Sequence, residues 1–194
     1  MIRRLSLPLL LTVVALAAAR AWNWNRTSNC VDWLKRLGSA EAELTKLGSS
    51  QQRFFPLADA AKSAAEVGDM TKARKYALEL LELAPGFRSN WNYGNALHDG
   101  HMVLGRAALA AGDIAGAKRE LLEAGKTPGS PQLNSFGPNM ALALDLLRKG
   151  ERDVVRQYFA ECSNFWDLGK GRLNSWTSQT RVGVTPDFGA NLLY

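Results

Sequence analysis

The residues that most often build catalytic and metal centres are scarce in this chain of 194 residues, which has two cysteines and two histidines. The sequence contains no Gly-x-Ser-x-Gly nucleophile motif and no His-Glu-x-x-His zinc motif. The string Gly169-Lys170-Gly171 lacks the earlier glycine and the following hydroxyl residue of a phosphate-binding loop. We therefore expect neither a self-sufficient enzyme nor a protein that needs a cofactor.

A basic stripe is also lacking, although the formal net charge is +6. Half of that excess comes from Arg3, Arg4 and Arg20, so residues 22–194 carry a net charge of +3. The remaining charges of both signs are interspersed along the sequence and do not form the basic surface that nucleic acids require. We expect no nucleic-acid partner.

The chain begins with two arginines and an apolar run, Leu5 to Ala19, of about 15 residues. A membrane-spanning helix needs roughly 20 apolar residues. A secretory signal peptide instead combines a basic start, a short apolar run and small residues such as Ala19 and Ala21. We expect residues 1–21 to be a signal peptide cleaved after Ala21, and the protein to be periplasmic or secreted. Retention of this segment as a membrane anchor is the alternative.

The two cysteines, Cys30 and Cys162, leave two interpretations open. An oxidising compartment permits a disulfide bond between them. Two buried free thiols are the other interpretation, because sequence spacing cannot show whether the two side chains meet.

One pattern recurs three times in the sequence. It consists of an alanine-rich segment, a glycine followed by an acidic residue, and a second segment of helical periodicity. This pattern indicates three helix hairpins. The three turns are Gly68-Asp69, Gly112-Asp113 and Gly150-Glu151. Glycine suits the left-handed conformation that ends a helix, and an acidic residue suits the positive N-terminus of the next helix. The sequence therefore predicts an all-α fold.

Small residues stand where the helices of each hairpin would cross. They are Ala60, Ala61, Ala73, Gly105, Ala117 and Ala143. Together with the glycine turns, this pattern resembles the tetratricopeptide repeat (TPR). Val155 departs from the pattern, because it replaces the small residue in the second helix of the third copy. The resemblance implies an antiparallel helix-hairpin solenoid of about three repeats over residues 54–169.

The three copies would span residues 54–87, 98–131 and 136–169. Their turn glycines are 44 and 38 positions apart, whereas the family unit is about 34 residues long. Extra residues are therefore expected in two connections, near 88–97 and 132–135.

Flanking segments complete the predicted architecture. Val31 to Leu47 has apolar residues at helical spacing, so residues 22–53 are predicted to form an N-terminal helical segment. Residues 170–183 are predicted to form a capping helix, since stacked repeats need their last apolar face covered. Residues 184–194 are predicted to form an irregular tail.

The resemblance implies a concave groove lined by the first helix of each repeat, as in peptide-binding members of the family. Lys62 and Arg106 could hold a carboxylate in this groove, and Met102 and Met140 could adapt to varied apolar side chains. The alternative is that the methionines fill gaps in the core and the cations are solvated.

The two extra connections bring asparagines and aromatic residues to one edge of the predicted solenoid. They are Asn90, Trp91, Asn92, Tyr93 and Asn95 in the first connection, and Asn134, Phe136 and Asn139 in or after the second. Amides beside aromatic faces suit a sugar or an extended peptide backbone. The alternative is that the asparagines serve local turns and helix caps.

The histidines lie close together, since His98 and His101 flank Asp99 three positions apart. On one helical face they could share a metal ion. A stable zinc site uses four ligands, or three and an open position, and the sequence has no further histidine. Packing or hydrogen bonding is therefore the favoured interpretation.

These patterns predict an exported scaffold or adaptor that binds a protein or peptide partner. The alternative is a receptor or enzyme that binds a small polar ligand or a metal through His98, Asp99, His101 and the asparagine-rich edge.

Overall fold

A computed structural model describes residues 32–193, and this part of the chain contains helices and turns but no β-strand. The predicted all-α class is confirmed. Nine α-helices lie in the described part: α1 (Trp33–Leu47), α2 (Phe54–Glu66), α3 (Met70–Leu83), α4 (Tyr93–Ala110), α5 (Ile114–Gly125), α6 (Pro131–Phe136), α7 (Ala141–Arg148), α8 (Arg152–Cys162) and α9 (Lys170–Arg181). Short 3-10 helices lie at Gln51–Arg53, Ala84–Phe87, Asp167–Gly169 and Gly189–Leu192.

Three pairs of consecutive helices, α2 with α3, α4 with α5 and α7 with α8, pack as hairpins around the three glycine turns. Gly68, Gly112 and Gly150 have φ angles of 88°, 81° and 86°, a conformation that only glycine adopts at low cost. The carboxylates of Asp69 and Asp113 accept hydrogen bonds from backbone amides of the next helix at 3.0 and 2.7 Å. Local chemistry therefore ends the first helix and begins the second.

The third turn differs from the other two. Glu151 makes no side-chain cap bond to α8. Its carboxylate instead accepts a hydrogen bond from the Lys118 ammonium of α5 at 2.6 Å. The acidic residue at this turn thus links two hairpins rather than capping its own helix.

Helices α4, α5 and α7 approach one another closely at Gly105. A Cβ atom at this position would lie 2.2 Å from Cδ2 of Leu142 and 3.1 Å from Cβ of Glu120. The carbonyl oxygen of Ala117, a fully buried residue of α5, would be 3.4 Å away. The small residues at this crossing therefore allow backbones to meet at a distance that a larger side chain would prevent.

Helix α4 begins at Tyr93, so the predicted connection over residues 88–97 is wrong in its second half. The first turn of α4 packs against the connection that follows α5. A Cβ atom on Gly94 would lie 1.8 Å from the carbonyl oxygen of Gly129, and Thr127 Oγ1 donates a hydrogen bond to the Gly94 carbonyl at 2.7 Å. This contact joins segments far apart in sequence, which local patterns cannot show.

The second predicted connection, residues 132–135, does lie between the second and third hairpins, but its residues form the helix α6 instead of a loop. Ser130 Oγ accepts a hydrogen bond from the Leu133 amide at 2.9 Å, and Pro131 occupies the first turn. Both features favour a helix start. The chain then turns at Gly137, whose φ is 86°, and α7 is a short helix of eight residues.

Aromatic residues dominate the core at the C-terminal side. Phe159, Trp166, Trp176 and Phe188 form pairs whose ring centroids are 5.0 to 6.0 Å apart. Helix α9, at the place of the predicted capping helix, supplies Trp176, and the predicted irregular tail supplies Phe188. The tail is thus fixed to the core at Phe188, which is 3% exposed.

Two expectations concern residues outside the described range, namely the signal peptide at 1–21 and the role of Cys30. Within the range, Cys162 carries a fully buried free thiol, and burial raises the pKa of that thiol. None of the helices in residues 32–193 combines the length and the apolarity that crossing a bilayer requires.

Candidate functional site

An open cleft of about 550 Å³ lies between α1, α2, α4, α6, the segment after α6 and the tail. We call it the α2–α4 cleft, because these two helices supply half of its polar side chains. Its volume is typical of sites for small ligands or short segments. It is lined by Arg36, Phe55, Ala58, Asp59, Lys62, Asn92, Asn95, His98, Asp99, Gln132, Leu133, Phe136, Gly137, Pro138, Asn139, Ala190, Asn191 and Leu193.

The floor of the cleft is a charged cluster. The Lys62 ammonium donates a hydrogen bond to Asp99 Oδ2 at 2.9 Å, and His98 Nδ1 lies 3.3 Å from Asp99 Oδ1. Burial favours the neutral form of the Asp99 carboxyl, but the Lys62 ammonium and the His98 ring outweigh this effect and lower its pKa to about 2. Asp99 is therefore an ionised structural anion at neutral pH and not a proton donor.

A chain of hydrogen bonds connects this floor to the far wall of the cleft. The Tyr158 hydroxyl donates to the carbonyl oxygen of Asn139 at 2.9 Å. Its oxygen lies 3.1 Å from His98 Nε2. The buried His98 ring thereby fixes the segment after α6 relative to α4.

Side-chain amides form the second polar region of the cleft. Asn95 Nδ2 donates to Asn92 Oδ1 at 2.8 Å and to Gln132 Oε1 at 2.7 Å. The Ser130 hydroxyl donates to Asn95 Oδ1. Asn95 is 7% exposed, so it acts as a rigid support that orients the more accessible Asn92 and Gln132.

Two phenylalanines form an apolar rim. Phe55 of α2 is 44% exposed and Phe136 at the end of α6 is 75% exposed. Next to Phe55, Arg36 Nη2 donates to Asp59 Oδ1 at 2.6 Å. Single exposed apolar side chains are common on protein surfaces, but these two lie at the same cleft and offer a ligand apolar contact area.

The tail forms the remaining wall of the cleft. The Asn191 side chain donates from Nδ2 to the carbonyl oxygens of Phe136 at 3.1 Å and of Pro138 at 3.0 Å. The main-chain carbonyl oxygen of Asn191 accepts a hydrogen bond from the Met140 amide at 2.7 Å. Asn139 Nδ2 donates a hydrogen bond to the carbonyl oxygen of Leu193 at 3.4 Å. The tail is thus held by a set of hydrogen bonds that involve its main chain.

The structure brings together half of the residues that the sequence suggested for binding. They are Lys62, Asn92, Asn95, His98, Asp99 and Asn139. The sequence had placed these residues on two separate surfaces, a groove and an edge. In the structure the two surfaces meet, because α4 begins earlier than predicted and carries the asparagines of the edge beside His98 and Asp99.

Three further candidates do not line the cleft because they pack into the interior. Met102 and Met140 are fully buried in the core that α5, α7 and α8 share. Tyr93 is half-buried and packs against an apolar cluster formed by α1, α2, α3 and α4. The adaptable methionine surface that we expected in the groove is therefore wrong, and the alternative of methionines that fill core gaps is correct.

The last three candidates have polar partners within the protein. Arg106 Nη1 donates to the Glu66 carboxylate at 2.6 Å in a largely buried pair, so Lys62 and Arg106 both face carboxylates of this chain. His101 Nδ1 lies 2.8 Å from Glu120 Oε2. Asn134 Oδ1 accepts a hydrogen bond at 3.0 Å from the amide of Asp167, 33 positions later, so it links α6 to the 3-10 helix Asp167–Gly169 and does not serve a local turn.

The two histidines thus have different neighbours, since His98 contacts Tyr158 and Asp99 whereas His101 contacts Glu120. Within residues 32–193, no group of three or more His, Cys, Asp or Glu side chains has the arrangement of a metal site.

Several residues that line the cleft were not predicted from the sequence. Arg36, Asp59, Gln132, Asn191 and Leu193 come from helix faces or from the tail, and none belongs to a recognisable motif. The one available signal was the string from Ala190 to Leu193, in which an amide residue stands beside apolar ones in a segment otherwise predicted to be irregular. That pattern alone does not distinguish a wall of a cleft from a surface turn.

The chain matches no protein-family model, no curated protein and no solved structure. Its function must therefore be argued from the geometry of the cleft.

Proposed function

We propose that this protein is an exported binding module that holds an extended, uncharged polypeptide segment in the α2–α4 cleft. It acts as a scaffold or adaptor and catalyses no reaction. The fold we propose for this role is a short TPR-like solenoid, in which the first helices of the hairpins face the ligand.

The observation that carries the proposal is that a piece of polypeptide already lies along one wall of the cleft. Its main-chain carbonyls at Asn191 and Leu193 accept hydrogen bonds from the Met140 amide and the Asn139 side chain. The open part of the cleft also offers hydrogen-bonding groups, because the side-chain amides of Asn92 and Gln132 can donate hydrogen bonds to a peptide backbone and accept hydrogen bonds from it. A second segment would continue this pattern.

Charge favours an uncharged ligand. Two cations, Arg36 and Lys62, and two carboxylates, Asp59 and Asp99, line the cleft, and each cation contacts a carboxylate. A charged ligand group would have to compete with one of these pairs, and separating the largely buried Lys62–Asp99 pair is costly, whereas the Arg36–Asp59 pair is partly exposed. A neutral backbone flanked by apolar side chains can instead use the exposed rings of the rim.

The hairpin geometry supports the TPR-like proposal. The glycine turns have left-handed conformations, and the crossing residues Gly105 and Ala117 are buried. Signal-peptide features at residues 1–21 support export.

The test is a selection of random extended peptides against the full chain, followed by calorimetric titration of the selected peptides. Phe55→Ala and Phe136→Ala should each weaken binding by about tenfold or more, as buried aromatic anchors do. Trp91→Ala is the matched control, because Trp91 is 64% exposed but does not line the cleft. Equal losses for all three variants, or none, would place the binding surface elsewhere.

A sugar is the second candidate, favoured by the amides of Asn92 and Gln132 near the exposed ring of Phe136. A panel of neutral oligosaccharides should then raise the melting temperature of the wild-type protein and leave that of Phe136→Ala unchanged. The peptide proposal is abandoned if oligosaccharides give this pattern and peptides do not.

A further inference from the structure

The seat of the tail in the α2–α4 cleft is specific in its chemistry. The Asn191 side chain is almost fully buried and bridges two carbonyl oxygens, those of Phe136 and Pro138. A donor pair at this spacing is supplied by the NH₂ group of an asparagine, whereas aspartate has no donor and alanine has no polar group. Gly137 makes room for it, because a Cβ atom there would lie 2.6 Å from Asn191 Nδ2.

Residues 190–193 are joined to the rest of the protein in a way that lets them leave the seat while the fold stays intact. Phe188 anchors the chain in the aromatic core, 3% exposed, beside Trp176 and Phe159. Gly189 follows with a φ of 51° and no atom within contact of its Cβ position. Rotation at Gly189 would break the hydrogen bond from the Asn191 amide to the Phe188 carbonyl and release residues 190–193, while the Phe188 ring stays in the core, since glycine has the widest choice of backbone conformations.

We propose that this seat is an exchangeable docking site for a segment that forms a short 3-10 turn and has the pattern small residue, asparagine, leucine, leucine. The tail, whose residues Gly189–Leu192 form such a turn, fills the site within the same chain, and a partner segment of the same pattern displaces it. The partner segment then continues across Phe136 into the open part of the cleft. This inference rests on the proposed function and names the sequence that the cleft prefers.

Competition with the tethered tail determines how tightly a free segment binds. A segment tethered through Gly189 has an effective concentration of about millimolar at its own seat. A free segment of equal intrinsic affinity therefore binds the wild-type chain weakly. Weakening the tethered copy alone should make binding of the free segment tighter, which a merely structural tail would not do.

The experiment uses a fluorescent synthetic peptide with the sequence of residues 186–193 and the full chain in two forms, wild type and Asn191→Ala. We expect the Asn191→Ala chain to bind the peptide at least about tenfold more tightly, because two hydrogen bonds of the competing tail are lost and a tenfold change corresponds to about 1.4 kcal/mol. A peptide in which asparagine is replaced by alanine should not bind. Asn174→Ala, a change at an exposed position of α9, is the control chain and should behave as the wild type.

Hydrogen exchange of the wild-type chain is a second readout that needs no variant. The Met140 amide, which donates to Asn191, should exchange faster than the Leu144 amide of the next turn, because release of the tail exposes only the first. Equal protection of these amides together with equal peptide affinity of both chains would overturn the inference.

The outcomes separate the two proposals. Loss of ligand binding in Phe136→Ala with no effect at Asn191 supports the cleft and refutes the exchangeable tail. Binding of the tail peptide to the Asn191→Ala chain, with no effect of Phe55→Ala on any selected ligand, supports the seat and refutes the larger peptide-binding cleft.

Discussion

Replacing Asp99 by asparagine removes one negative charge from the floor of the cleft while preserving the size of the side chain. The Asp99 residue is 9% exposed, and its carboxylate accepts a hydrogen bond from Lys62 at 2.9 Å and lies 3.3 Å from His98 Nδ1. In the variant, the Lys62 ammonium retains Asp59, whose carboxylate is 3.9 Å away and half-exposed. A buried cation thus loses the stronger of these two carboxylate contacts.

Two arguments give the magnitude of the loss. The pKa of the Asp99 carboxyl falls from 3.8 to about 2 in the folded protein. At about 1.4 kcal/mol for each pKa unit, the ionised form stabilises the fold by about 2 kcal/mol. Removing one partner of a buried ion pair costs about 3–5 kcal/mol. Since Asp59 compensates in part, we expect Asp99→Asn to lower the free energy of unfolding by about 2–4 kcal/mol at neutral pH.

The loss depends on pH in a definite direction. Because the folded pKa of Asp99 lies below its unfolded value, the stabilisation is complete above about pH 5 and disappears as the pH falls from about 4 to about 2. In that range the wild-type carboxyl becomes protonated and resembles the neutral amide of the variant. The difference in unfolding free energy between the two proteins should therefore shrink on acidification.

Urea denaturation followed by far-UV circular dichroism measures this difference at each pH. Asp59→Asn is the matched control, since its carboxylate is 46% exposed and paired with Arg36 at the surface. The control should lose less than about 1 kcal/mol. If Asp99→Asn is as stable as Asp59→Asn, or if its deficit stays constant down to about pH 3, the charged floor does not contribute as we describe.

Two other predictions concern packing and thiol chemistry. Gly105→Leu should lower the free energy of unfolding by about 1–3 kcal/mol, because its side chain would overlap Leu142, whereas Gly171→Leu has open space and should not destabilise the protein in the same urea experiment. A neutral result for Gly105→Leu would contradict the close helix crossing. In a Cys30→Ser variant, Cys162 should react with Ellman's reagent about a hundredfold more slowly in the folded protein than in urea, since burial raises its pKa and blocks access. Similar rates in both solvents would show that the thiol is accessible.

The sequence predicts the helix class and the hairpin turns because both depend on neighbouring residues. Gly68 and Gly112 need only their own left-handed backbone, and Asp69 and Asp113 bond to amides three residues later.

The cleft depends on contacts that no local pattern contains. Asn191 reaches the carbonyl of Phe136 across 55 positions, and His98 reaches Tyr158 across 60. The early start of α4 likewise requires Gly129 to meet Gly94. The identity of the binding residues on α2 and α4 was therefore partly predictable from their chemistry, whereas their assembly into one site was not.

The wall that Asn191 and Leu193 provide has a consequence for how this protein becomes active. The cleft draws on residues from Arg36 to Leu193, so a ribosome or a translocation channel releases its first and last parts at very different times. Contacts of such long sequence separation form late in folding. A chain that has folded only its first two hairpins lacks α6 and the tail, so it has no complete cleft. Under the proposed function, we therefore expect a partner to bind only after the whole cleft has been made.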